Sequence, residues 1–128
     1  MEIRGKTAFV TGAASGLGAE TARLLAANGA RIGLFDRDVT KGQAMAGELG
    51  GQFFAVDVAD ANSAETAVTA AVGALGAPSI LVNCAGIGTA ARIVGRDGPM
   101  DLAAFQKVVN VNLVGTFNML RLCAHAMS

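Results

Sequence analysis

The 128-residue sequence contains no tryptophan and no tyrosine, and its only aromatic residues are six phenylalanines. So few rings leave no platform on which nucleic-acid bases would stack. A surplus of one charge is missing too, because ten basic residues balance ten acidic ones. That balance argues against a nucleic-acid tract and against a basic membrane-binding helix. The two cysteines, Cys84 and Cys123, lie far apart with no CxxC spacing. A disulfide framework is not expected, and a reducing compartment such as the cytoplasm fits. The single histidine, His125, sits two residues from Cys123. Such a pair shares no helix face, so no metal site is expected there. No apolar run reaches the roughly 20 residues that a bilayer span takes. Met1 to Lys6 leads directly into the first apolar segment, and no signal peptide is expected.

What the chain does have is small and aliphatic. It is 52% hydrophobic with 17 glycines, and its mean hydropathy is +0.48. That length holds one domain at most. The abundance of Ala, Val, Leu and Gly suits a parallel sheet covered by helices on both faces.

The stretch Thr11-Gly12-Ala13-Ala14-Ser15-Gly16-Leu17-Gly18 organises the rest. An apolar segment from Thr7 precedes it. A helical pattern through Leu17, Thr21, Leu24, Leu25 and Asn28 follows it. The context is therefore strand, glycine turn, helix. The first amides of a helix lack partners within it, and the peptide dipoles add positive charge there. A pyrophosphate fits both features. Gly12 is expected to let the chain leave the strand sharply, Gly16 to let backbone approach a phosphate, and Gly18 to let helix and strand pack closely. The spacing is TGxxxGxG rather than GxGxxG. An ordinary βα turn without a ligand is the plain alternative.

Further along, Gly29 is expected to stop the first helix, and Arg31 to Phe35 forms a second strand ending at Asp36. Asp36 follows Gly12 by 24 residues, close to where a dinucleotide fold places an acid on the adenosine ribose. A carboxylate there accepts from ribose hydroxyls and repels a 2′-phosphate, favouring NAD. Arg31 and Arg37 are the nearby groups that would hold that phosphate instead. Asp36 also suits a loop acid or a helix cap, but Asp38 can cap the helix Val39 to Leu49. Gln52 to Val56 reads as the third strand, closed by Asp57-Val58 at the carboxyl end where ligands collect. Asp60 reads as the N-cap of a helix through Ala64, Val68, Ala71, Val72 and Leu75.

The fourth strand, Ser79 to Val82, ends in Asn83-Cys84-Ala85-Gly86. Small residues there would let backbone lie against a flat ligand, and the Asn83 amide would tie strand ends together. Cys84 reads first as a small buried hydrophobe, with a backbone contact to cofactor as the alternative. Ile87 to Met100 reads as a long loop. Its Arg92 and Arg96 would attract an anionic substrate or acidic partner, unless the loop is simply solvated. Leu102 to Met127 reads as one long helix, with Phe105, Val109, Leu113 and Phe117 along one face. Its wide apolar surface predicts packing against a second helix, such as that of another subunit. Asn110 and Asn112 in that helix would each need a hydrogen-bond partner.

Thr11 to Gly18, Asp36, Asp57-Val58, Asn83 to Gly86 and Asn112 together resemble the short-chain dehydrogenase/reductase family. Val82 to Ile87, Val94 to Met100 and Val111 to Asn118 are similar to its type 2 3-hydroxyacyl-CoA dehydrogenase branch. The resemblance implies a Rossmann-type α/β fold, doubly wound, with strand order 3-2-1-4 and helices on both faces. It implies NAD as cofactor, a small acyl-CoA substrate, and a homotetramer through the 102–127 helix. By position, Ser15 and Leu17 would contact the pyrophosphate side, Asp36 the ribose, Asp57 and Val58 the adenine, and Cys84 the region near the ribose. Asn112 would be the catalytic asparagine that helps hold a water in the proton relay. The family's catalytic serine, tyrosine and lysine are absent from this stretch. Four strands are half of a full dinucleotide fold, so a chain about twice as long is expected. Other readings are a related 3-oxoacyl, steroid or sugar-alcohol enzyme, or a non-catalytic dinucleotide-binding module.

Overall fold

The computed structural model describes residues 1–128. Its sheet has four parallel strands, β1 (Thr7–Thr11), β2 (Arg31–Asp36), β3 (Gln52–Ala55) and β4 (Ile80–Asn83). Their order is β3-β2-β1-β4, as expected. The crossovers are helices α1 (Gly16–Ala27), α2 (Val39–Leu49) and α3 (Ala61–Leu75).

The central strand β1 is buried along its whole length. Alternation divides it between two cores. Ala8 and Val10 join Ile32, Leu34, Ala19, Ala22 and Met45 on the α1/α2 face. Phe9 joins Phe35, Val68, Ala71, Met119 and Cys123 on the opposite face. The Phe9 and Phe35 rings meet with centroids 5.1 Å apart. Each such side chain contributes about 1.5–3 kcal/mol by leaving water. Helices therefore cover both faces, which makes the sheet doubly wound.

Local signals set the helix ends. Asp38 caps α2 by accepting from the Lys41 amide, and Asp60 caps α3 through the Asn62 and Ser63 amides. Gly29, at φ +89°, ends α1. The buried face of α1 is not the expected one. Leu17 and Leu24 are 83% and 67% exposed, whereas Gly18, Ala19, Ala22 and Leu25 are buried. The small face wins because α1 must approach β1 closely.

Two further departures follow β4. The 87–100 stretch contains a small antiparallel hairpin, β5 (Val94–Gly95) with β6 (Gly98–Pro99). Gly98, at φ +135°, permits its tight turn. The long helix is also not continuous. It comprises α4 (Leu102–Val109), a π-helical turn (Asn110–Val114) and α5 (Gly115–Met127). A π-turn advances less per residue than the ~100° of an α-helix, so it reorients α5 relative to α4. Asn112 thereby reaches the segment after β4, while Asn118, Met119 and Cys123 stay buried. Phe105, Leu113 and Phe117 are 55%, 66% and 62% exposed. No helix is long and apolar enough to cross a membrane.

Candidate functional site

The carboxyl ends of the four strands converge on an open cleft of about 370 Å³. Gly12 begins it at φ +65°, a conformation costly for any residue with a Cβ. A Cβ there would also lie 2.8 Å from the Cys84 carbonyl and the Ala85 nitrogen. Gly18 allows α1 to touch the turn itself, since its Cβ would come within 2.1 Å of the Gly12 oxygen. Ser15 precedes α1 in an extended conformation, and its hydroxyl makes no capping bond. The backbone amides of Ser15, Gly16, Leu17 and Gly18 donate to nothing in the chain. They are a row of oriented donors at the positive end of a helix.

Asp36 lies across from that row at the end of β2. Its Oδ2 accepts from the Ala14 amide at 3.0 Å and its Oδ1 from the Asp38 amide at 3.0 Å. The sequence suggested a carboxylate free for a ligand, whereas the structure shows it partly engaged by these two amides. It ties the glycine turn to β2 and keeps its remaining lone pairs for the cleft. Arg37 lines the cleft beside it. Arg31 does not: its guanidinium donates to the Thr7 hydroxyl at 2.9 Å, at the opposite end of the strands.

Asp57 and Val58 form the far wall. The Asp57 amide donates to Ser63 Oγ at 2.9 Å, and its carboxylate accepts from the Ala59 amide at 3.1 Å. Val58 is 6% exposed. At the end of β4, Cys84, Ala85 and Gly86 line the cleft. Cys84 is only half-buried, and the enclosed thiol is Cys123 instead. Burial pushes the Cys123 thiol up to about 11.

Asn83 is the one predicted cofactor residue that does not face the cleft. The strand-end tie belongs mainly to Thr11, whose hydroxyl accepts from the Cys84 and Ala85 amides at 3.1 Å each. Asn83 contributes as the acceptor of that hydroxyl at 3.4 Å. Asn112 stands behind Gly86, and its amide is engaged at both ends with the backbone of Ile87. Phe35, Val56, Ile87 and Val111 also line the cleft and were not foreseen. The first two directly precede Asp36 and Asp57, a legible signal. Ile87 and Val111 likewise adjoin Gly86 and Asn112, but only folding brings the π-turn that carries Val111 to the cleft.

One cleft therefore holds backbone donors suited to an anion and a carboxylate suited to hydroxyl groups. The family model for short chain dehydrogenase matches residues 6–128. The 3-hydroxyacyl-CoA dehydrogenase type-2 of Homo sapiens is 40% identical over 98% of this chain and 49% of its own length. The D-threitol dehydrogenase of Mycolicibacterium smegmatis is 40% identical over 91% of this chain and 45% of its own. The chain spans about half the length of these curated relatives. Among solved structures, a doubly substituted variant of a Serratia marcescens short-chain dehydrogenase/reductase superposes with TM-score 0.86 at 30% identity. That match covers 100% of this chain and 53% of the other. The chain belongs to the short-chain dehydrogenase family.

Proposed function

We propose that the protein is an NAD-dependent dehydrogenase of secondary alcohols, and that this chain builds its dinucleotide site. The substrate assigned is a 3-hydroxyacyl-CoA ester, oxidised to the 3-oxoacyl-CoA in fatty-acid or branched-chain amino-acid breakdown. The cofactor reading is carried by the four unpartnered amides from Ser15 to Gly18 facing the Asp36 carboxylate. A dinucleotide needs donors for its pyrophosphate and an acceptor for its ribose hydroxyls.

In this reading Ser15, Gly16, Leu17 and Gly18 hold the pyrophosphate, and Gly12 lets the turn close on it. Asp36 takes the adenosine ribose and disfavours a 2′-phosphate. Asp57 and Val58 flank the adenine. The backbone of Cys84, Ala85 and Gly86 supports the half that carries the nicotinamide, with Asn83 holding the strand end behind. NAD held by these residues would supply the hydride acceptor for the carbinol carbon of the substrate. Asn112 acts here as a positioning residue, because an amide does not titrate and both its ends hold Ile87. The cleft walls contain no tyrosine, lysine or histidine. Proton transfer and acyl binding are therefore assigned to residues outside this sequence, in a protein of the relatives' length.

The exposed stripe of Phe105, Leu113 and Phe117 supports assembly through the 102–127 helices, with a homotetramer as the proposed form. The unbridged thiols fit the cytoplasm. A second reading, oxidation of a small polyol, is favoured by the likeness to D-threitol dehydrogenase.

Full-length protein should reduce NAD with 3-hydroxyacyl-CoA esters. Failure to turn over any of several chain lengths, with turnover of D-threitol, would select the second reading. A strong preference for NADPH would overturn the cofactor assignment.

A further inference from the structure

The wall opposite the glycine turn is set from behind by α5. Asn118 is 6% exposed. Its Nδ2 donates to the Val58 carbonyl at 2.8 Å and reaches the Asp60 carbonyl at 3.4 Å. No other hydrogen bond reaches the Val58 carbonyl. Asn118 Oδ1 accepts from Arg121 Nε at 2.9 Å, and Arg121 reaches Glu65 on α3 at 3.2 Å. The amide is thus oriented by a chain that runs from α5 to α3.

Gly115, one turn earlier, lies against the side chain of the same residue. A Cβ at Gly115 would stand 2.6 Å from Val58 Cγ2. Val58 therefore has its carbonyl held by Asn118 and its side chain backed by Gly115. Its inner surface is part of the cleft wall. The residues from Val56 to Asp60 lie between β3 and α3, outside any regular element. Without Asn118 a buried carbonyl would lose its only partner, and such a group moves toward water if it can.

We propose that Asn118, with Gly115, is a positioning residue that sets the depth of the adenine-side wall through Val58. The inference rests on reading the cleft as a dinucleotide site. It assigns to α5 a part in cofactor affinity that no contact between α5 and cofactor would supply.

The test uses full-length protein, with NADH binding read by fluorescence and AMP as competitor, since AMP reports the adenosine end alone. Asn118→Ala should weaken NADH and AMP by the same factor, about fivefold or more, the effect of one buried hydrogen bond. Asn118→Asp, which points a carboxylate at two carbonyls, should weaken both at least as much. Gly115→Ala should weaken AMP by pressing on Val58. Gly115→Val, which sets a larger side chain against Val58 Cγ2, should weaken AMP further. If Asn118→Ala does not fold, the Gly115 pair decides. A purely structural role would lower the melting temperature yet leave AMP affinity within about twofold of wild type, and that result overturns the inference. Wild-type protein that binds neither NADH nor AMP overturns the dinucleotide reading as well.

Discussion

The side-chain amide of Asn112 grips both backbone groups of Ile87. Its Oδ1 accepts from the Ile87 N–H at 2.8 Å, and its Nδ2 donates to the Ile87 carbonyl at 2.8 Å. The π-turn is thereby fastened to the segment that carries Cys84, Ala85 and Gly86. Asn112→Asp keeps the acceptor but turns the donor into a second acceptor facing a carbonyl. The pair is solvent-exposed, so the expected loss is about 1 kcal/mol, the low end for a severed hydrogen bond. Urea denaturation checks the stability, and NADH titration should show weaker binding. Wild-type values in both would refute the gripping role.

Asp36 accepts from two backbone amides, and the proposed function gives it a ribose as well. Asp36→Asn removes the charge that would repel a 2′-phosphate and leaves Arg37 beside it. The ratio of NADH to NADPH affinity should fall at least about tenfold, a modest share of the Coulomb energy between close charges. The variant should also lose about 1 kcal/mol of stability, because the Ala14 and Asp38 amides now meet an uncharged group. An unchanged affinity ratio would remove Asp36 from cofactor selection.

Two glycines of α2 should respond oppositely to alanine. A Cβ at Gly42 would lie 2.1 Å from Phe53 Cε1, whereas nothing lies within 4 Å of one at Gly47. Alanine gains up to about 1 kcal/mol over glycine inside a helix. At Gly42 that gain is outweighed by overpacking, which costs about 1–3 kcal/mol. Gly47→Ala should raise the melting temperature and Gly42→Ala should lower it. Shifts of the same sign would contradict the packing of α2 on β3.

The two thiols should behave differently. Half-buried Cys84 should react with a thiol reagent in the native protein, and NADH should slow the reaction. Cys123 should react only after unfolding. Burial raises its thiol from 9.0 to about 11. The unfolded thiol ionises first, so the unfolded state sheds its proton while the native state keeps it. Stability from this group is full below pH 9 and is lost as pH rises towards 11. Cys123→Ala should lack that part of the alkaline decline in urea midpoint. Identical slopes for both proteins would dismiss the linkage.

Phe117 is 62% exposed on the apolar stripe of α5. Phe117→Glu should therefore lower the mass seen by light scattering without changing the circular dichroism of the subunit. A wild-type mass equal to one subunit would end the proposal of assembly through these helices.

Much of this protein was legible in its sequence because the deciding interactions are local. The apolar run from Thr7, the glycine turn and the caps Asp38 and Asp60 act within a few residues of themselves. The βαβ pattern then leaves little freedom in strand order, so the cleft and most of its lining could be named in advance. What depends on meetings between distant segments could not. Leu17 and Leu24 face outward because α1 presents its small side to β1. Arg31 is drawn to Thr7 at the wrong end of the sheet for a phosphate. Asn112 and Asn118 look alike as amides in an apolar helix. Only the tertiary structure sends one to Ile87 and the other to Val58, because backbone groups outside regular elements take whichever partner the fold brings beside them.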